Sequence, residues 1–165
     1  MGTKRVGHAR IRALINANNN LMSIRKPRYV DGTATMTLTP DQSGRTVLVG
    51  GAAAGLAADT IFTLPSPQEG LTFRFVYVGN AADVQDFQIS TGTDAAPFGG
   101  GVFQHDINDE DGAIYHPNGS SNSRCNILTP DGGTDIRVWC NASLLWNISG
   151  FVNSATDTGV SFADQ

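Results

Sequence analysis

At 165 residues, with 40% hydrophobic and 16% charged content, the chain has room for one domain and an appendage. The charge missing from an average composition is replaced by Gly, Ala, Thr, Asn and Ser, which suits a turn-rich β fold, and no apolar run reaches the length of a membrane helix, about 18 residues. The net charge of −4 hides a division: residues 1–30 hold seven basic residues and no acid, whereas residues 31–165 hold the other four basic residues and all 15 acids, formal charges of +7 and −11.

Such an asymmetry predicts a basic arm that docks on an acidic partner or on nucleic acid. Its charges are Lys4, Arg5, Arg10, Arg12, Arg25, Lys26 and Arg28. Within it, Val6–Met22 has helical spacing. Ile11, Leu14, Asn18 and Leu21 form an a-d-a-d seam over two heptads, and Ile15 and Met22 widen the apolar face. So thin a stripe is marginal alone in water. The helix is therefore expected to pack on its own β body, on copies of itself, or on a foreign surface. Asn18 either fixes register in that seam or, with Asn16, Asn19 and Asn20, ends the helix. No apolar core of a signal peptide precedes a cleavage site. Ser23–Val30, with Lys26 held extended before Pro27, reads as a linker. The expected division is an arm and linker over 1–30, a β domain over 31–158 and a C-terminal tail over 159–165.

The β domain opens with Thr33–Thr39, in which Ala34, Met36 and Leu38 share a face, followed by a turn at Pro40–Gly44 and a strand over Arg45–Gly50. Gly51–Asp59 is a loop of small residues. Thr60–Gly79 carries the strongest signal and reads as a central hairpin. Ile61, Phe62 and Leu64 form a strand that Pro65 and Pro67 end. After Gly70, the residues Leu71, Phe73, Phe75 and Tyr77 alternate with Thr72, Arg74, Val76 and Val78, a period of two that buries one face. Further short strands are expected at Phe87–Ser90, Val102–Phe103, Ala113–Tyr115, Arg124–Leu128, Thr134–Asn141 and Leu144–Val152. In the last two, Ile136, Val138 and Cys140 share one face, Arg137 and Trp139 the other, and Leu144, Trp146 and Ile148 lie together. The predicted class is all-β, a sandwich, jelly roll or barrel of about eight to ten short strands, behind a helical basic arm.

No catalytic constellation is visible, and neither an enzyme nor a cofactor is expected. Gly51 and Gly55 are not followed by the lysine that a phosphate loop needs. Asp106–Gly112 is rich in acids, but its sixth and twelfth positions are Asp111 and Pro117 where a calcium loop needs Gly and Glu. A solvated acidic loop is the default, a looser cation site the alternative. His8, His105 and His116, with Cys125 and Cys140, have no zinc spacing. The two cysteines suit reduced thiols better than a disulfide, with Cys140 facing the core. Glu69 and Glu110 are the only glutamates and fall in turns or loops, which disfavours a glycosidase pair. Trp139 and Trp146 are expected as packing residues, with a carbohydrate surface as the alternative.

Ser43, Gly44, Thr46, Val47 and Leu48, then Thr63, Leu64, Pro65, Pro67, Gly70, Leu71, Phe73 and Phe75, form a pattern that resembles a recurrent β domain of bacteriophage structural proteins. It continues in Ile89, Thr91, Phe98, Gly99 and Gly100, and in Ile136, Val138, Cys140–Ser143, Trp146, Ile148 and Gly150. The opening Lys4-Arg5-Val6-Gly7, with Ala9, Arg10 and Ala13–Ile15, is similar to the start of short virion proteins from tailed phages of aquatic bacteria. The loop Gly50–Asp59 and the acidic stretch Gln104–Gly112 depart from that pattern. The resemblance implies a head decoration (cement) protein or a tail-fibre module, without catalysis, cofactor or metal, and usually homotrimeric. The leading expectation is a protein made in the host cytoplasm that binds the major capsid protein on the outer head through its basic arm. A receptor-binding fibre domain whose loops Gly99–Gly112 and Pro117–Ser123 meet a host glycan is the alternative. Nucleic acid is disfavoured as a partner because the body is acidic, and no membrane is expected.

Overall fold

The computed structural model describes residues 29–51 and 54–165. The arm cations, the seam residues Ile11, Leu14, Ile15, Asn18 and Leu21, and the helix expected there lie outside them. The described residues contain β1 (Tyr29–Gly32), β2 (Met36–Thr37), β3 (Thr46–Val49), β4 (Thr60–Thr63), β5 (Thr72–Tyr77) and β6 (Phe87–Ser90). They continue with β7 (Phe98–Asp106), β8 (Asp111–Tyr115), β9 (Arg124–Ile127), β10 (Asp135–Cys140), β11 (Trp146–Ser154) and β12 (Val160–Ala163). A 3-10 turn at Pro40–Gln42 precedes β3. The strands form a seven-stranded sheet, ordered β1-β3-β5-β10-β11-β7-β8, and a five-stranded sheet, ordered β12-β9-β6-β4-β2.

From β1 to β6 the chain alternates between the sheets, odd strands in the larger and even strands in the smaller. Successive strands within one sheet therefore run parallel: β1 with β3, β3 with β5, β2 with β4, and β4 with β6. A parallel pair needs a crossover, and here each crossover is a strand of the opposite layer. From β7 onward the chain makes antiparallel hairpins, β7–β8 and β10–β11, although β11 also lies parallel to β7. Two open sheets with half their strand pairings parallel differ from an antiparallel jelly roll or a closed barrel, and are consistent with a β-sandwich.

The core explains why these strands form. Leu71, Phe73, Phe75 and Tyr77 are buried, as their alternation predicts, while Thr72 and Arg74 face out. Phe62 of β4 lies 5.5 Å from Phe75 of β5 across the layers and 6.2 Å from Phe87 of β6. Phe98 of the larger sheet meets Phe162 of the smaller at 6.4 Å. Trp146 is fully buried, 6.1 Å from Phe73. Each such burial contributes roughly 1.5–3 kcal/mol. Cys125 on β9 and Cys140 on β10 are buried, unpaired and in opposite sheets.

Several expectations change. The stretch read as a linker over 23–30 runs into β1, since Tyr29 and Val30 already pair with Thr46 and Val47 of β3. Thr60–Thr63 and Thr72–Tyr77 do not pair, because Pro65, Pro67 and Gly70 carry the chain from the smaller sheet to the larger. Leu64 N–H donates to Ser90 O at 2.7 Å and Gly70 N–H to Cys140 O at 3.1 Å, one to each sheet. Alternation sets which way a side chain faces, not which strand lies beside it. The stretch 159–165 is not a tail: β12 pairs antiparallel with β9, with Phe162 opposite Cys125. Leu144 is not on the Trp146 face; it sits in the β10–β11 turn with a φ of 58° and is exposed.

Candidate functional site

The outer face of the seven-stranded sheet has no second layer among the described residues. Register arranges its side chains in rows across the strands. At the level of Arg137 the row reads Tyr29, Thr46, Arg74, Arg137, Ser149 and Gly101. His116 lies over Gly101, its Nδ1 3.1 Å from Gly100 O. Two residues along the strands in one direction, about 7 Å, the row reads Thr72, Trp139, Asn147 and Gly99. Two residues in the other direction it reads Asp31, Leu48, Val76, Asp135, Phe151, Phe103 and Ile114. A polar, cationic row thus runs between Trp139 on one side and, on the other, a mixed row whose Phe151, Phe103 and Ile114 form an apolar ridge. Within the ridge Phe103 and Phe151 stack at 5.6 Å, and His105 stacks on Phe151 at 6.3 Å.

The cations on this face are unexpected on an acidic body. Only four basic residues lie in 31–165, and three of them, Arg45, Arg74 and Arg137, line one groove of about 250 Å³ with Trp139. Arg74 is held by Asp135, which accepts from its Nε at 2.8 Å and from a terminal nitrogen at 2.5 Å. That hydrogen bonding holds the Asp135 carboxyl below its ordinary range despite partial burial. Arg45 makes one long contact, 3.4 Å, to Asp41 O. Arg137 has neither a hydrogen bond nor an ion pair among the described residues. Trp139 is 38% exposed. The groove therefore offers N–H donors of Arg137 and Arg45 that no strong partner takes, beside an exposed indole.

A second cluster lies at the β7–β8 hairpin. The acidic stretch read as a loop is the end of β7, a tight turn and the start of β8. Asp106, Asp109 and Asp157 each bring one carboxylate oxygen to within 4.8 Å of the others. Asp106 is buried, and its Oδ1 accepts from Asn108 N–H at 2.8 Å, which holds its carboxyl low. Asp157 is raised, first by the hydrogen bond it shares with Asp106 and then by repulsion from Asp106, Asp109 and Asp111. Among the described residues these three are the ones that could hold a cation.

Of the residues singled out in the sequence, the arm cations and the helical seam lie outside the described residues. The two tryptophans part company: Trp146 is core, and Trp139 stands on the open face. Sequence reasoning missed the convergence of Arg45, Arg74 and Arg137, which are far apart along the chain and are joined only by strand register. It also missed Asp157, which a turn before β12 brings to the hairpin. No protein-family model, curated protein or solved structure matches the chain.

Proposed function

We propose that the chain is a bacteriophage head decoration protein. Its basic arm (Lys4, Arg5, Arg10, Arg12, Arg25, Lys26 and Arg28) binds acidic surfaces of the major capsid protein on the outer head, and its β body faces solvent. The observation that carries this reading is the division of charge, +7 over residues 1–30 against −11 over residues 31–165. The basic stretch joins the body at β1, an edge strand of the larger sheet. Copies bridging neighbouring shell subunits, as homotrimers, add avidity that far exceeds one-site affinity. Exposed arm contacts weaken as salt rises. The test is a binding assay on undecorated heads with the double variant Arg10→Glu, Arg12→Glu. Loss of binding with an unchanged thermal transition of the β body supports the reading, and full occupancy by the variant refutes it.

A further inference from the structure

The open face of the seven-stranded sheet carries chemistry that shell binding through the arm does not use. Arg45, Arg74 and Arg137 converge beside Trp139 on a body of formal charge −11. Arg74 is occupied by Asp135, which also attracts Arg137, but Arg137 makes no hydrogen bond or ion pair among the described residues and Arg45 makes one long hydrogen bond. Continuing from these along the rows are Asn147 and Ser149, half-buried and polar, and Gly99 and Gly101, which carry no side chain. We propose that this face is a binding site for an acidic saccharide chain, one whose sugar units carry carboxylates. Trp139 stacks on the apolar face of a ring. Arg137 and Arg45 take carboxylates as charge-assisted donors. Asn147, Ser149 and Thr72 take hydroxyls.

Three considerations favour a saccharide over other anions. An exposed indole beside amide and hydroxyl groups matches a ring with one apolar face and a polar rim. An acidic peptide would find no backbone partners here, because on the face of a sheet the main-chain groups are already spent in the ladders, and extended peptides add at edges instead. A polyphosphate chain sets its charges far closer together than a uronate chain, which has one carboxylate per sugar, and so meets more repulsion from the acidic body. The site does not depend on the decoration reading. It holds on a head or on a tail, and the arm variant tested on heads reads that reading separately.

The experiment is a titration of the full-length protein with a galacturonate tetrasaccharide, followed by tryptophan emission. Trp146 is fully buried, so a ligand-dependent change reports Trp139 and not the basic arm. The expected result is a saturable change that a neutral cellotetraose does not produce. Arg137→Gln weakens binding about tenfold, the value of a hydrogen bond to a charged group, with the thermal transition retained. Trp139→Phe, which leaves Trp146 as the only tryptophan, abolishes the emission change and weakens the calorimetric affinity. Three results overturn the proposal. One is the absence of a saturable change with either galacturonate or mannuronate tetrasaccharides. Another is binding of tetraglutamate as tight as that of the sugars. The last is an unaltered affinity in a folded Arg137→Gln protein.

Discussion

Arg74 and Asp135 face each other diagonally across β5 and β10 and form a two-pronged ion pair at 2.8 and 2.5 Å. Directly opposite Arg74 stands Arg137, a like charge. Asp135 therefore fixes one arginine while leaving the other facing outward. The side chains of the pair are 46% and 29% exposed, so solvent screens it and its worth is small, about 0.2–1 kcal/mol. Asp135→Asn should lower the thermal midpoint only slightly in a calorimetric scan. The same substitution removes the carboxylate that holds Arg74 and attracts Arg137 beside the groove, and should tighten binding of the uronate tetrasaccharide in the emission titration.

Tyr77 and Asp83 tie together the loops at one end of the molecule. Tyr77 O–H donates to Asp83 Oδ2 at 2.9 Å, and the same oxygen accepts from Leu56 N–H at 2.5 Å. Burial works against the Asp83 carboxylate, but backbone donors from Leu56 and Gln85, with Tyr77, outweigh it and hold its pKa low. A carboxyl lowered in the folded state adds stability above its unfolded pKa, about 4, and loses it as pH falls through the folded value. Tyr77→Phe should cost roughly 1 kcal/mol near neutral pH. That deficit should shrink in urea melts carried out below about pH 4.

The same clip leaves no room at two glycines. A Cβ at Gly79 would stand 2.1 Å from the Tyr77 hydroxyl, and one at Gly55, whose φ is +73°, would stand 2.3 Å from Asp83 Oδ2. Gly55→Ala adds backbone strain to this clash. Each substitution should lower the thermal midpoint more than Tyr77→Phe does.

At the β7–β8 hairpin, three carboxylates repel one another. The Asp157 pKa is raised, so its contribution to stability is present below the unfolded pKa and is lost as pH rises through the folded one. Asp157→Asn should raise the thermal midpoint at neutral pH, more at low salt than at high salt, and should make little difference in acid.

The two tryptophans give the sharpest contrast in stability. Trp146→Ala empties the centre of the core and should cost about 3–5 kcal/mol in chemical denaturation. Trp139→Ala, on the open face, should stay within roughly 1 kcal/mol.

What could be read in the sequence follows from what a period of two contains. In LTFRFVY and IRVWC it gave the inward set Leu71, Phe73, Phe75, Tyr77, Ile136, Val138 and Cys140, and placed Arg137 and Trp139 outside. Pairing partners are not encoded locally. The turn through Pro65, Pro67 and Gly70 looks the same whether the chain folds back beside itself or crosses to another layer. The early strands wind between layers with connections of unequal length, so no sequence repeat marks the winding. Val160–Ala163 carries only two large apolar residues and is recognised only through its partners: β9, and the Val160 N–H donated to Gln104 Oε1 at 3.0 Å. The arginine groove was illegible for the same reason, since its members meet only once the register of β3, β5 and β10 is fixed.

The central claim is that the protein coats a phage head. Immunogold labelling of intact phage particles from the same source as the chain tests this proposal most directly. The account predicts gold spread over the head. Gold confined to the tail tip or fibres, or no label on any particle, would contradict it.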